Sequence, residues 1–166
     1  MQIVTDRFIL RPVTETEREA VLGIYRQCED FLALGPDPYA SMAMVEADIR
    51  HSEEEGGIFC GIFAPNMVGI IDFVPRLFEG KPEQACLSLL MIALPYRNFG
   101  LGADVVRAVE DYIQQDEKVE AILAGVQINN PGAIRFWQRM GYQIISGPLQ
   151  LPDQTTVYQL RKDLRD

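Results

Sequence analysis

The residues with most to offer chemically are gathered in Tyr96-Arg97-Asn98-Phe99-Gly100-Leu101-Gly102-Ala103. An arginine and two glycines stand where an apolar run, Leu87 to Leu94, gives way to a helical pattern, Asp104 to Tyr112. A turn of that kind aims unpaired backbone N–H groups and the positive end of a helix dipole at one point, which suits a diphosphate. Gly100 and Gly102 remove the β-carbons that would hold phosphate oxygens off the backbone, and Arg97 is placed to add a charge-assisted contact. Spacing excludes two other anion-binding turns. A P-loop needs Gly-Lys-Ser/Thr, which the chain lacks, and a dinucleotide fingerprint needs a glycine where Val105 stands. A glycine turn used for packing alone stays open as the plain alternative.

Other chemistry is thinly supplied. The single histidine, His51, precedes Ser52-Glu53-Glu54-Glu55 and reads as a solvated helix end, so no His-based metal site or triad can be assembled. Cys28, Cys60 and Cys86 are odd in number and fall in different elements, which fits buried small hydrophobes better than disulfides or a metal cluster. A net charge of −9 argues against nucleic acid as a partner and is compatible with a cationic acceptor. No apolar run is long enough to span a membrane, and the N-terminus lacks the pattern of a signal peptide. The expectation is one domain over residues 1–166, cytoplasmic, with no membrane partner; a homodimer is left open.

The elements that must position the turn follow from periodicity. Gln2 to Pro12 reads as a first strand, and Thr14 or Thr16, each with a glutamate three residues on, can cap a helix whose apolar positions are Val21, Ile24, Tyr25, Cys28 and Phe31. The Leu32 to Tyr39 segment, with two prolines and a glycine, breaks that helix; another follows from about Ser41 to His51, with Glu53 to Gly57 as its solvated exit. Ile58 to Phe63 and Met67 to Val74 form a hairpin about Ala64-Pro65-Asn66. Ala85 to Ala93 is apolar enough to be covered on both faces. The helix after the turn points Val105, Val106, Val109, Tyr112 and Ile113 at the sheet, and Ala121 to Gln127 is the next strand, giving a right-handed crossover and a parallel pair. Asn130 caps a short helix with Pro131 at its first position, Gly141 ends it, and Tyr142 to Ile145 pairs with Thr155 to Leu160 around a loop at Ser146 to Gln154.

The turn matches Arg97-x-x-Gly100-x-Gly102 and so resembles the acetyl-CoA-binding signature of the GNAT superfamily of N-acetyltransferases. A second segment, Asn130-Pro131-Gly132-Ala133-Ile134-Arg135-Phe136-Trp137 ending in Gly141-Tyr142, is similar to the family's Asn-x-x-Ala-x-x-Phe/Leu-Tyr segment, at the expected distance. The first strand, Thr5 to Pro12, is similar to that of many members, so the resemblance covers nearly the whole chain.

The resemblance implies a mixed, mostly antiparallel α+β sheet with about four helices and one splayed parallel pair. It implies acetyl-CoA as cosubstrate, no metal, and direct attack by an uncharged amine of a small molecule or peptide on the thioester. Coenzyme A would be held by the backbone of Leu90, Met91 and Ile92, by Arg97, Asn98, Phe99, Gly100, Leu101, Gly102 and Ala103, and by Asn130, Ala133, Phe136 and Trp137. An Ile92 N–H against the thioester carbonyl would stabilise the developing oxyanion.

Two departures stand out. The strand where many members carry a glutamate has no carboxylate, leaving Asp72 and Glu83 as the nearest candidate bases, and Trp137 fills the position of a proton-donating tyrosine, leaving Tyr142 as a stand-in. The acceptor pocket is expected between the 32–39 and 146–154 loops, with Asp30, Asp37 and Asp153 able to attract an ammonium group. A non-catalytic acyl-CoA-binding module and a nucleotide-binding protein unrelated to coenzyme A are the competing readings.

Overall fold

A computed structural model describes residues 1–165. Among them, the strands are β1 (Ile3–Val4), β2 (Ile9–Pro12), β3 (Ile58–Phe63), β4 (Met67–Val74), β5 (Gln84–Ile92), β6 (Ala121–Gln127), β7 (Gln143–Ile144), β8 (Leu149–Gln150) and β9 (Thr156–Asp163). The helices are α1 (Arg18–Gln27), α2 (Glu29–Leu32), α3 (Met42–Glu54), α4 (Leu101–Ile113) and α5 (Pro131–Arg139). One sheet runs in the order β1-β2-β3-β4-β5-β6-β9-β7, with β8 beside β9; every pairing is antiparallel except β5 with β6. The mixed sheet and its one parallel pair are as expected. No helix among the described residues is long and apolar enough to cross a membrane.

Local signals explain most boundaries. Thr14 and Glu17 form the anticipated capping box, and Arg11 grips the Glu17 carboxylate at 2.8 and 2.9 Å, holding its pKa down to about 2. Ser41 caps α3 by accepting from Met44 N–H at 3.1 Å, and Asn130 caps α5 by accepting from Ala133 N–H at 3.1 Å. Three expectations are corrected. Residues 2–12 form two strands, because the Thr5 hydroxyl closes a turn onto Phe8. The first helix breaks at Cys28, whose φ of −115° and ψ of 22° are not helical, so α2 is a separate turn. Glu53 and Glu54 belong to the last turn of α3, which packs its buried Ser52 against the sheet.

Each face of the sheet carries a core. On one, Val105, Val106, Val109 and Ile113 of α4 pack onto Leu10, Ile62, Phe73, Leu87 and Ile122, with Tyr112 edge-on to Phe73. On the other, Val21, Ile24, Tyr25, Val45 and Ile49 of α1 and α3 pack onto Phe59, Ile70 and Met91. Such double coverage lets a short parallel pair sit in the middle of the sheet.

That pair is zipped only from Gln84/Ala121 to Leu87/Ala124. Beyond it β5 stays on β4 as far as Ile92/Gly69, and β6 stays on β9 as far as Gln127/Val157, so the two strands fork. A bulge marks the fork: Leu87 opposes Phe73 and Leu89 opposes Asp72, which leaves Ser88 as the extra residue. Ser88 and Gly125, the first residues past the last parallel pair, are both exposed in what would otherwise be sheet interior.

Close approach keeps β5 in place on its other side. A Cβ on Gly69 would lie 2.5 Å from the Met91 carbonyl oxygen and 2.9 Å from Ile62 Cδ1. Gly69→Ala is expected to lower the denaturation free energy by about 1–3 kcal/mol through overpacking against backbone; an unchanged denaturant midpoint would contradict the packing described.

Candidate functional site

The turn after β5 folds as an anion cradle. A 3-10 turn over Leu94–Tyr96, with Pro95 inside it, brings the chain around, and Asn98 and Gly100 then take φ of 67° and 77°, a left-handed pair that turns successive N–H groups inward. The first bond of α4 is from Asp104 N–H to Gly100 O at 3.1 Å, and the N–H groups of Asn98 to Ala103 have no partner among the described residues. Arg7 braces the turn from outside, donating to Phe99 O at 3.2 Å and pairing with Asp104, while the Phe99 side chain stands 72% exposed. The two glycines do different work. Gly100 supplies the left-handed conformation, and a Cβ there would meet nothing within 4 Å; a Cβ on Gly102 would come to 3.8 Å from Leu90, Ile92 and Phe136.

Those three contacts locate a slot. Leu90 and Ile92 of β5, Gly102 of α4 and Phe136 of α5 converge beside the fork, with Ala133 half-buried on the same helix. Backbone direction settles which groups face it. Ala93 N–H donates to Val68 O at 2.8 Å and the Met91 carbonyl lies against Gly69, so Ala93 and Met91 face β4, and the alternate residues Ile92 and Leu90 turn toward the gap. An extended amide-bearing ligand could pair there as an added strand. Of the anticipated strand contacts, Leu90 and Ile92 therefore qualify and Met91 does not; its side chain is buried on the α1 and α3 face.

Other expected residues sit as follows. Leu101 is anchored in the core, Ala103 packs against it, and Asn130 spends its side-chain oxygen on its own helix cap. Trp137 is buried, edge-on to Phe136 at 5.1 Å and to Tyr142 at 5.0 Å, so it supports Phe136 from the core. The Arg97 guanidinium turns back along β5, donating to Ile92 O at 2.8 Å and to Asp30 of α2 at 2.7 and 3.2 Å. Asp30 and the Ile92 and Gln27 carbonyls engage each of Nε, Nη1 and Nη2, while the unpaired donors of the turn itself are its backbone N–H groups.

The three proton-transfer candidates separate clearly. Glu83 lies before β5, five residues or roughly 16 Å along the strand from the fork, and its carbonyl ties down Glu120 and Ala121. Tyr142 is 1% exposed, and its hydroxyl donates to Glu110 at 2.9 Å, a carboxylate that also receives Lys162 at 2.8 Å. Burial, then that neighbouring carboxylate, push the Tyr142 pKa up, and the group closes a structural network behind α4. Asp72 alone adjoins the fork, opposite Leu89, accepting from Ser52 Oγ at 2.6 Å. It is 7% exposed, and burial raises its pKa to about 6 despite that hydrogen bond.

Between the two expected loops lies an open cavity of about 400 Å³, bounded by Leu34, Gly35 and Pro36 on one side and Asp153 to Thr156 on the other, with Ile128 and Asn129 as floor. Asp153 accepts from Thr155 N–H at 2.9 Å and from its hydroxyl, contacts that lower its pKa and keep it ionised. Ser88 and Gly125 at the fork were missed by the apolar reading of both strands; a serine and a glycine inside otherwise apolar runs were the available signal.

Forked parallel strands with an N–H cradle at the following helix define a protein built to hold a diphosphate with an extended tail. The family model described as the acetyltransferase (GNAT) family matches residues 19–142, and the chain belongs to that family. An acetyltransferase structure from Thermus thermophilus superposes with a TM-score of 0.79 at 22% identity, over 99% of this chain and 100% of that one. A spermidine N-acetyltransferase from Vibrio cholerae, in complex with CoA and spermine, gives 0.73 at 13% identity over 96% of both chains. These likenesses establish the fold. A probable N-acetyltransferase, san, of Drosophila melanogaster is 35% identical over 51 residues, which span 31% of this chain and 28% of that relative.

Two substitutions separate structural from chemical roles. Tyr142→Phe is expected to cost about 1 kcal/mol of stability, the worth of one buried hydrogen bond, with transfer rate unchanged; a collapsed rate at normal stability would restore Tyr142 to the chemistry. Asp72 holds its proton in the folded chain between roughly pH 4 and 6, where the unfolded carboxyl has lost it. Native stability conferred by this group therefore declines as pH rises through that window and is flat above it. Thermal melts of Asp72→Asn should lack this decline, and a parallel pH slope in variant and wild type would rule it out.

Proposed function

We propose that this chain is an acetyl-CoA-dependent N-acetyltransferase that acylates a primary amine of a small molecule or peptide. The observation that carries the reading is the row of unpaired N–H groups from Asn98 to Ala103 next to the gap between β5 and β6, where a Cβ on Gly102 would lie 3.8 Å from Leu90 and Ile92. The cradle fits a diphosphate, and the slot at Leu90, Ile92, Gly102 and Phe136 fits a pantetheine arm. Bound there, acetyl-CoA supplies an activated acetyl thioester.

The chain's part is positional and protonic. Ile92 N–H is available to a carbonyl oxygen in the gap, and placing two reactants side by side accounts for much of a transfer rate. An acceptor ammonium must shed a proton before its nitrogen can bond to the acetyl carbon. Asp72 is the proposed sink, since it adjoins the fork and is ionised above about pH 6. The departing thiolate, with a thiol pKa near 8.5, is stable enough to leave without a tyrosine donor. The acceptor enters through the cavity at Asp153, whose charge favours a cationic amine, in keeping with the spermine-bound relative. A homodimer is proposed through Ile144, Ile145 and Leu149, exposed at the β7–β8 end of the sheet, and a cytoplasmic setting through the free, buried state of Cys28, Cys60 and Cys86.

The missing glutamate and tyrosine favour one second reading, an acyl-CoA-binding module without turnover. Calorimetry with acetyl-CoA should give saturable binding to wild type that Gly100→Asp abolishes, because a carboxylate would enter the cradle at a residue with φ of 77°. A broad amine panel then decides between the readings: acetylation above hydrolysis supports the enzyme, and binding with no transfer to any amine supports the module.

A further inference from the structure

Asp72 meets one difficulty as a proton sink: it is almost wholly buried, and its Oδ1 is already taken by Ser52 Oγ at 2.6 Å. An amine in the gap needs a carrier between its nitrogen and that carboxylate. Asp72 Oδ2 has no hydrogen-bond partner among the described residues, so one acceptor position stays open. The helices offer no accessible hydroxyl on this side. Ser52 is buried, and so is Tyr25, whose hydroxyl is spent on Asp48 at 2.7 Å.

β5 supplies a hydroxyl in a different setting. Ser88 is the extra residue of the bulge, between Leu87 opposite Phe73 and Leu89 opposite Asp72, and it is exposed. Ala85 and Leu87 belong to the α4 core, so Cys86 between them points to the other face, where Ser52 of α3 meets Asp72. The Ser88 hydroxyl lies 3.9 Å from the Cys86 thiol and projects from that same face. Burial, with smaller contributions from the Glu55, Asp72 and Glu79 carboxylates, pushes the Cys86 thiol up to about 12. It stays protonated at neutral pH and takes no proton from an ammonium itself. Across the fork, Ala124 and Val126 also belong to the α4 core, so Gly125 looks to the α3 side as well, and a Cβ there would meet nothing within 4 Å. Ser88 and Gly125 thus leave an opening on the face where Asp72 sits.

We propose that Ser88 is a catalytic residue whose hydroxyl receives the proton shed by the acceptor ammonium while passing its own proton to Asp72 Oδ2. The inference rests on the acetyltransferase reading and supplies the link that a buried carboxylate lacks. One N–H bond of the ammonium breaks, one O–H bond forms on Asp72, and Ser88 exchanges one proton for another and ends unchanged. The freed lone pair on nitrogen then bonds to the acetyl carbon, and the carbon–sulfur bond breaks with its electron pair going to sulfur. Nitrogen gives its second proton to that thiolate. Asp72 returns the first to solvent through Ser88 once the amide has left.

The experiment uses full-length wild type, Ser88→Ala, Ser88→Thr, Asp72→Asn and the double variant Ser88→Ala/Asp72→Asn. Coenzyme A affinity is measured by calorimetry, and single-turnover acetylation is followed with acetyl-CoA on a broad amine panel that includes spermine. Ser88→Ala should acetylate about 10²-fold more slowly, the scale of one lost proton-transfer group, with coenzyme A affinity changed less than about twofold. Ser88→Thr keeps the hydroxyl and should recover most of the rate. In the Asp72→Asn background the Ser88→Ala change should cost little more, because two groups acting in series fail together at either link. Ser88 is exposed, so its two single variants test the idea even if an Asp72 variant fails to fold. A wild-type rate in Ser88→Ala would overturn the inference and leave Asp72 served by water alone. No recovery in Ser88→Thr, or the full Ser88→Ala loss repeated on top of Asp72→Asn, would overturn it as well. Acetyl-CoA bound by wild type with no amine acetylated would remove the acetyltransferase reading itself, and this inference with it.

Discussion

Backbone polar groups inside a sheet have to be paired, and in this protein a stretch of β5 is not. The parallel ladder stops at Leu87 and Ala124, and the gap-facing peptide groups of Leu90 and Ile92 are left without a strand to answer them. Leaving such groups unpaired in a buried setting costs free energy comparable to a lost hydrogen bond for each. Everything else in the site follows from how the fold tolerates that opening: solvent is admitted at Ser88 and Gly125, and a ligand that brings its own amides can take the place of the absent strand.

An opening in mid-sheet persists only if the strands on either side cannot drift together. β6 is held outward by β9 along its whole length, and β5 is held inward by β4, where Gly69 allows the backbones to pack closely. The bulge at Ser88 sharpens the local twist so that the strands diverge from that residue onward. Above the fork, α4 is fixed by its buried valines, by Arg7 reaching to Phe99 and Asp104, and by Glu110 with Tyr142 and Lys162. Cradle and gap are thus parts of one rigid frame, which is what a site acting through orientation requires.

Local features of the sequence were readable because their causes are local. The cradle at residues 96–103, the caps at Thr14, Ser41 and Asn130, the α4 face and the crossover into β6 all came from residues within a few positions of one another. What escaped depends on partners far along the chain. The fork position needs the β4 register, the turning of Arg97 needs Asp30, and the burial of the Tyr142 hydroxyl needs Glu110. Glu83 looked close to the chemistry because it is near in sequence, yet an extended strand carries it steadily away from the fork. The hairpin at Thr5 was lost for a smaller reason: a hydroxyl closing a turn onto a backbone two to three residues on leaves no gap in the apolar pattern.

The two departures from the family pattern bear on how such a site can work at all. With no carboxylate on β5 and an indole where a phenol was expected, the groups that face the gap and the cradle are chiefly main chain: the N–H row from Asn98 to Ala103 and the peptides of Leu90 and Ile92. Main-chain donors carry no net charge and need no titration, so they can stabilise a developing oxyanion across a wide pH range. Proton removal is the one task they cannot perform, and the acid adjoining the fork is Asp72, held by Ser52 beneath the bulge. Its raised pKa still leaves it ionised at neutral pH, and burial keeps its proton affinity higher than that of a solvated carboxylate. A site so arranged offers main-chain donors to a ligand and, at the bulge, one buried carboxylate whose proton affinity is raised.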